Sequence, residues 1–451
     1  MRTFTQRKIT TVAAIAAASA LLLSGCASGS SADSSSTPTT VSQAEIDKAM
    51  ETPTTLTFWS WVPIQPEIDL FEAKYPNITV NLVNVGNGDA EFDKIRTALK
   101  AGTGAPDVAQ MGYQDMPSFR VTDSLLDLTP YGAADLADQY VPWVWNQVSS
   151  DSGVFGIPQD SGPMGLLYRS DIYAQAGVTP PTSYDEYTAA AQTIKEKTGS
   201  YISNFPSGEP GTILSLLWQA GVKPFTYDGG QNVKIDLTSP EATEVVDYWN
   251  NLVKNDLVSV DAEWTDQWYQ GLAQGKYASW LTAAWAPLFL EGTAPDTAGN
   301  WTATTLPQWK DGDNVSANLG GSANVVLKST ENPIAAYEFA KWINNDPSST
   351  IMLANDQSLF PTTNATLEDP AFVDTTSDFF GGQKVNQLFA EISPTVDTDF
   401  DWLPFMSFVG SSFTDTLGKA IADRTDLETG VAAWQQELVD YATQQGFTVE
   451  E

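Results

Sequence analysis

The sequence predicts an α/β protein of two lobes, and three observations carry that expectation. From Leu56 onward the 451-residue chain has the apolar and aromatic content of a globular protein. That stretch of about 400 residues exceeds what one hydrophobic core organises, so two lobes are expected. Its N-terminal part also alternates short strands and helices, and successive β-α-β units imply parallel pairing with right-handed crossovers.

The elements follow in order. Leu56-Thr57-Phe58-Trp59 is the first strand, and Pro66 to Lys74 is a helix with Ile68, Leu70 and Phe71 inward. Residues 78–83, Ile-Thr-Val-Asn-Leu-Val, form the second strand. Asp89 is placed to cap a helix that shows Phe92, Ile95 and Leu99 at helical spacing and stops at Gly102. Residues 107–111 read as a third strand. The middle is mostly helical. Ser183 with Glu186 fits a capping box, and Ser239-Pro240 and Asn332-Pro333 each read as N-cap followed by proline. Gly320-Gly321 reads as a turn entering a strand, and Pro404 to Gly446 as largely amphipathic helix.

The N-terminus sets the expected compartment. Arg2, Arg7 and Lys8 precede an apolar, Ala-rich run from Ile9 to Leu23, the pattern of a signal peptide over residues 1–25. Leu23-Ser24-Gly25-Cys26 then has the form of a bacterial lipobox, with Cys26 as the lipid acceptor. Residues 26–53 read as lipid anchor and tether, Ser- and Thr-rich over 27–40. The expected location is the extracellular face of the cytoplasmic membrane, held by the lipid alone. The Ser/Thr-rich linker suggests a Gram-positive cell.

Composition removes several chemistries. Cys26 is the one cysteine and histidine is absent, so disulfides, Ser-His-Asp and Cys-His triads and most zinc sites are excluded. No catalytic residue, metal ligand or cofactor is assigned. The formal charge is −34, with 56 acidic against 22 basic residues, and it becomes more negative once residues 1–25 are removed. So acidic a chain opposes nucleic acid and anionic lipid headgroups.

In an open α/β sheet, ligands sit beyond the carboxyl ends of the strands. Trp61 and the run Tyr113-Gln114-Asp115 stand just past the first and third strands. The 15 Trp, 15 Tyr and 20 Phe also matter, because a neutral sugar presents an apolar C–H face to an aromatic and hydroxyls to Asp, Asn and Gln. Trp249, Trp342 and Trp434 read as core, and Trp264 and Trp268 as rim candidates.

Collinear segments carry a resemblance. They include Thr57-Phe58-Trp59, residues 71–80 and 101–108, Phe155-Gly156-Ile157-Pro158, Leu167 to Asp171, Gly275-Lys276 before Trp285, Gly320-Gly321 and Asn332-Pro333. Over residues 55–362 they resemble the bacterial extracellular solute-binding proteins of the maltose-binding type, the capture subunits of ABC importers. The resemblance implies a type II periplasmic-binding-protein-like fold, with two α/β lobes joined by crossing strands and a ligand clamped between them. Lobe one is then 54–160 and 322–361, and lobe two 161–321 and 362–451. It implies that Trp285 stacks on sugar, although Ala283-Ala284 replaces the glycine usual before it. Asp401 and Trp402 precede a helix whose aromatic faces the cleft in the family. Asp160 and Ser161 fall at the first crossing, and Gly321 and Ser322 at the second.

The expected function is capture of a neutral sugar, an oligosaccharide, and its delivery to the ABC permease by a monomer that touches the membrane only through its lipid. Three other readings stay open: binding of another solute such as a peptide or polyol, a surface glycoside hydrolase, and a purely structural lipoprotein.

Overall fold

The structure is a computed structural model and describes residues 40–450. The signal-peptide reading, Cys26 and the Ser/Thr-rich part of the tether lie outside the described residues. The tether expectation for residues 26–53 differs from the structure at its end, where Gln43–Glu51 is a helix. Ser42 and Glu45 explain it. The Glu45 carboxylate accepts from Ser42 N at 2.9 Å and from Ser42 Oγ at 2.6 Å, which closes the first turn.

Two sheets divide the rest. The first contains β1 (Thr54–Trp59), β2 (Ile78–Val83), β3 (Val108–Gly112) and β4 (Ile157–Asp160). The second contains β5 (Met164–Arg169), β6 (Ser279–Ala283) and β7 (Trp301–Thr304). β8 (Ser322–Val326) then returns to the first, giving the order β2-β1-β3-β8-β4. β1 pairs in parallel with β2 and β3, as the β-α-β alternation implies, while β8 runs antiparallel to β3 and β4. In the second sheet β5 is central and antiparallel to both neighbours. A third, small sheet joins Phe225–Tyr227, Asn232–Ile235 and Thr448–Glu450.

The lobes are therefore connected by three segments. The chain leaves the first sheet after Asp160, returns to it at Ser322, and passes beside the first crossing again near Phe360. There Ser161 N donates to Phe360 O at 3.1 Å, and Val141 N to Thr362 O at 3.1 Å. Helix Pro142–Val148, within lobe one's range, also reaches the second lobe. Trp143 Nε1 donates to Ser393 O at 2.9 Å, and its ring meets Trp218 edge-on at 6.0 Å.

Local sequence explains most boundaries. β2 alternates buried and exposed residues over Ile78–Asn81, as a half-buried strand should. Gly102, at φ +70°, ends helix Asp89–Ala101 in the left-handed conformation that glycine adopts without strain. Ser183 Oγ accepts from Glu186 N at 3.2 Å, and Ser239 Oγ from Ala242 N at 3.2 Å, as both capping signals require. Two caps differ from expectation. Asn332 makes no capping bond with its side chain. Asp89 is the first helical residue after Gly88, and its carboxylate turns outward to accept from Ser407 Oγ at 2.7 Å on the facing lobe.

The core of the first lobe gathers Phe58, Phe71, Phe339 and Trp342, with ring centroids 5.1 to 5.6 Å apart. In the second lobe Phe205 stacks on Trp249 at 4.6 Å, and Phe413 meets Trp434 edge-on at 5.2 Å. Trp249, Trp342 and Trp434 are buried.

Candidate functional site

A cavity of about 530 Å³ opens between the lobes. The first lobe contributes Gly88, Asp89, Gln114 and Asp115 from the carboxyl ends of its strands and the helix start beyond β2. The second contributes Glu209 to Gly211, Ser215, Glu263, Trp264, Trp280, Trp285, Trp402 and Met406 to Ser411 in part. Asn318, Leu319 and Gly320 of the second crossing form its back. Among these lining residues there are four carboxylates and four tryptophans, and no lysine or arginine.

One wall is aromatic. The rings of Trp264 and Trp285 lie 6.0 Å apart at 38°, and Trp280 stands edge-on to Trp285 at 6.2 Å. Trp264 is 45% exposed and takes φ +64°, a conformation that costs a bulky residue energy and that persists where the surroundings impose it. Trp285 caps the helix Ala286–Thr293, and its Nε1 donates to Leu319 O at 2.8 Å, which fixes the ring against the crossing. Gly320 must be glycine there. Its φ is +81°, and a Cβ would stand 3.3 Å from Trp285 Nε1. On the opposite side Trp402 donates from Nε1 to Gln147 Oε1 at 2.6 Å.

The polar groups are held from behind. Asn318 Oδ1 accepts from Gly162 N at 2.8 Å, its Nδ2 donates to Gly320 O at 2.8 Å, and Ser215 Oγ donates to Asn318 O at 2.7 Å. Glu209 accepts from Gly211 N at 2.8 Å, and burial raises its pKa. Burial, with Glu209 beside it, pushes Glu263 up to about 8. Burial and the nearby Asp89 push Asp115 up to about 7 against the pull of Arg96. The cavity thus combines flat apolar rings with carboxyl groups that hold protons near neutral pH.

Of the sequence-predicted site residues, Gln114, Trp285 and Trp402 line this cavity. Five others form a buried rail behind it. Ser60 Oγ donates to Gln110 Oε1 at 2.7 Å, Gln110 Nε2 donates to Ser322 Oγ at 3.0 Å, and Ser322 Oγ donates to the Asp160 carboxylate. Tyr113 OH donates to Asp160 O at 2.8 Å, and Gly321, at φ +90°, packs against the Tyr113 ring. Ser161 is fully buried and ties to the third connection. None of Tyr113, Asp160, Ser161, Gly321 and Ser322 is among the residues lining this cavity; they stand at the crossings behind it, bonded to neighbouring segments. Asp160 remains pushed up to about 6 by burial, even with Ser322 opposing.

Trp61 and Asp401 also stand outside this cavity's lining. After β1 the chain turns at Ser60, whose Oγ accepts from Val62 N at 3.1 Å, and Trp61 packs, half-buried, against both hydrophobic cores. Asp401 lies beyond Trp402, in a separate recess of about 280 Å³ with Arg120 and Tyr227. Trp268, a rim candidate, is fully buried under Trp264 at 5.3 Å. Sequence reasoning missed Glu209, Glu263, Trp280 and Asn318. Thr265-Asp266 was a usable signal: Thr265 Oγ1 caps the helix Asp266–Gln274 through Trp268 N, which sets Trp264 outside the helix and Trp268 within it.

Comparison with known proteins agrees with this architecture. Residues 60–348 match the family of bacterial extracellular solute-binding proteins. The lactose-binding protein of Rhizobium radiobacter is 26% identical over 392 residues, 81% of this chain and 86% of that protein. The arabinooligosaccharide-binding protein of Bacillus subtilis (strain 168) is 28% identical over 301 residues, 63% of this chain and 68% of its own. Among solved structures, the ABC transporter associated binding protein from B. animalis subsp. lactis Bl-04, in complex with beta-1,6-galactobiose, is 35% identical with a TM-score of 0.77. The match covers 88% of this chain and 99% of that one. With two lobes, three connections, an interlobe cavity and a match over most of its folded length, the chain belongs to the bacterial extracellular solute-binding proteins of the maltose-binding type.

Proposed function

We propose that this protein captures a neutral di- or oligosaccharide between its lobes and delivers it to the permease of an ABC importer. One observation carries the reading: the interlobe cavity joins tryptophan faces to acidic and amide groups and has no basic residue. Such a lining suits sugar hydroxyls and C–H faces, and with no lysine or arginine it offers no counter-charge to phosphate or carboxylate ligands. The galactobiose-bound and lactose-binding relatives support the same class of ligand.

The protein acts as a lipid-anchored monomer at the extracellular face of the cytoplasmic membrane. The lipobox ending at Cys26 supports the anchor. Among the described residues no helix is long and apolar enough to cross a membrane. The protein acts by binding rather than by catalysis. The match to the solute-binding family supports this reading.

Isothermal titration with beta-1,6-galactobiose, lactose and longer neutral oligosaccharides tests the proposal. Saturable binding at one site, with no release of reducing sugar, is the expected result. Absence of heat and of any melting-temperature shift across the set would overturn it.

A further inference from the structure

We propose that Glu263 is the specificity-determining residue of the cleft, receiving a pair of adjacent sugar hydroxyls on its buried carboxyl. This rests on the sugar-capture reading above and names the group that selects within that class.

Glu263 lines the cavity and is only 8% exposed. Its neighbouring protein donors are the Trp280 indole and the Asn204 amide. The Asn204 amide already donates to Asp261 O at 3.0 Å. Neither donor makes a hydrogen bond of normal length and angle to the carboxyl. The carboxyl is left to face the cavity, where a bound ligand can complete its hydrogen bonding. The setting points to what that ligand is. Trp264, at φ +64°, and Trp280 and Trp285 line the same cavity with apolar ring surface. A sugar ring resting on these faces turns its equatorial hydroxyls edge-on, toward the polar groups of the lining.

The charges around Glu263 favour its neutral form. Glu209 faces it from the loop before helix Gly211–Gln219, and Asp89 and Asp115 face it across the cavity. Asp261 and Tyr277 stand on its own side, and Lys276 is paired with Asp261. Burial and Glu209 accordingly push Glu263 up to about 8. A protonated carboxyl donates one hydrogen bond and accepts another, which is what two vicinal hydroxyls require. A site built to hydrogen-bond hydroxyls rejects analogues that lack them, because its own buried group is then left unpaired.

The test uses the full folded chain, beta-1,6-galactobiose and its monodeoxy derivatives, read by titration calorimetry. Glu263→Ala is expected to weaken galactobiose by roughly 5- to 150-fold. One or two deoxy derivatives should lose a similar factor with the wild type and little more with the variant, a coupling that a merely structural role would not produce. Glu263→Gln retains a donor and an acceptor. Wild-type affinity should fall as pH rises through about 8, while Glu263→Gln stays flat there. A fall that persists in Glu263→Gln would belong to Asp115 instead and would overturn the proposal. So would equal deoxy penalties in wild type and Glu263→Ala. If the wild type binds no sugar at all, the capture reading itself fails and this one with it. If the wild type binds and the Glu263 variants bind equally well, the capture reading stands and this one fails.

Discussion

Replacing Trp285 by alanine separates a binding platform from a core residue. The ring is half-buried, forms one indole hydrogen bond of 2.8 Å to Leu319 O, and touches Trp264 and Trp280 at 6.0 and 6.2 Å. A fully buried tryptophan cut to alanine costs about 3–5 kcal/mol. Trp285 keeps one face open to the cavity, so its truncation should cost about 1–3 kcal/mol, including the lost bond. Ring stacking lost from a bound sugar is worth about 1–3 kcal/mol by analogy with other ring stacking, or roughly 5- to 150-fold in dissociation constant. Calorimetric titration of beta-1,6-galactobiose and thermal melting of the free protein measure both on one variant. Trp268→Ala is the contrast, since Trp268 is fully buried and should lose the larger stability without touching the ligand. Trp285→Phe keeps an aromatic face and drops the Leu319 bond, so it should retain most of the affinity. Unchanged affinity in Trp285→Ala would refute the stacking role.

Gly321→Ala should destabilise the hinge by about 1–3 kcal/mol, because φ is +90° and the new Cβ would lie 2.7 Å from Tyr113 Cε2; chemical denaturation reads this. Glu91 is fully buried with neither carboxyl oxygen partnered, and burial pushes it up to about 8 from 4.5. The native state therefore holds a proton that the unfolded state has released between those values. Its contribution is a loss of stability as pH rises through that window. Glu91→Gln should raise the melting temperature at pH 8, change it little at pH 4.5, and leave a residual slope of the same sign from Glu263. Cys26→Ala should release the protein from the membrane fraction with its sugar affinity intact, and retention there would refute the anchor.

The first two strands were legible because β1 and β2 carry runs of β-branched and aromatic residues that follow Pro53 and Asn77. The interlobe position of Trp285 was legible only through resemblance; no local pattern distinguishes it from Trp280, five residues earlier and 3% exposed. The hinge rail was hidden for a different reason. Ser60, Gln110, Asp160 and Ser322 are far apart in sequence, and only the strand order makes them consecutive. A residue just past a strand can face the ligand or a neighbouring strand, and hydrogen-bond partners from distant segments decide which. The helix at Gln43–Glu51 is the opposite case. Ser42 and Glu45 signalled it, but the Ser/Thr-rich composition upstream masked the box.

The position of β8 also constrains how this chain comes into being. Its residues, 322–326, lie between β3 and β4, and Phe339 of the following helix completes the aromatic core of the first lobe. The first sheet therefore cannot close when β3 emerges from the ribosome. At synthesis rates of about 5–20 residues per second, roughly 10–40 s separate Gly112 from Ser322. The second lobe waits longer, since Thr448–Glu450 pairs with Asn232–Lys234. A chain that stays open for so long is one that an export channel can thread before either lobe locks.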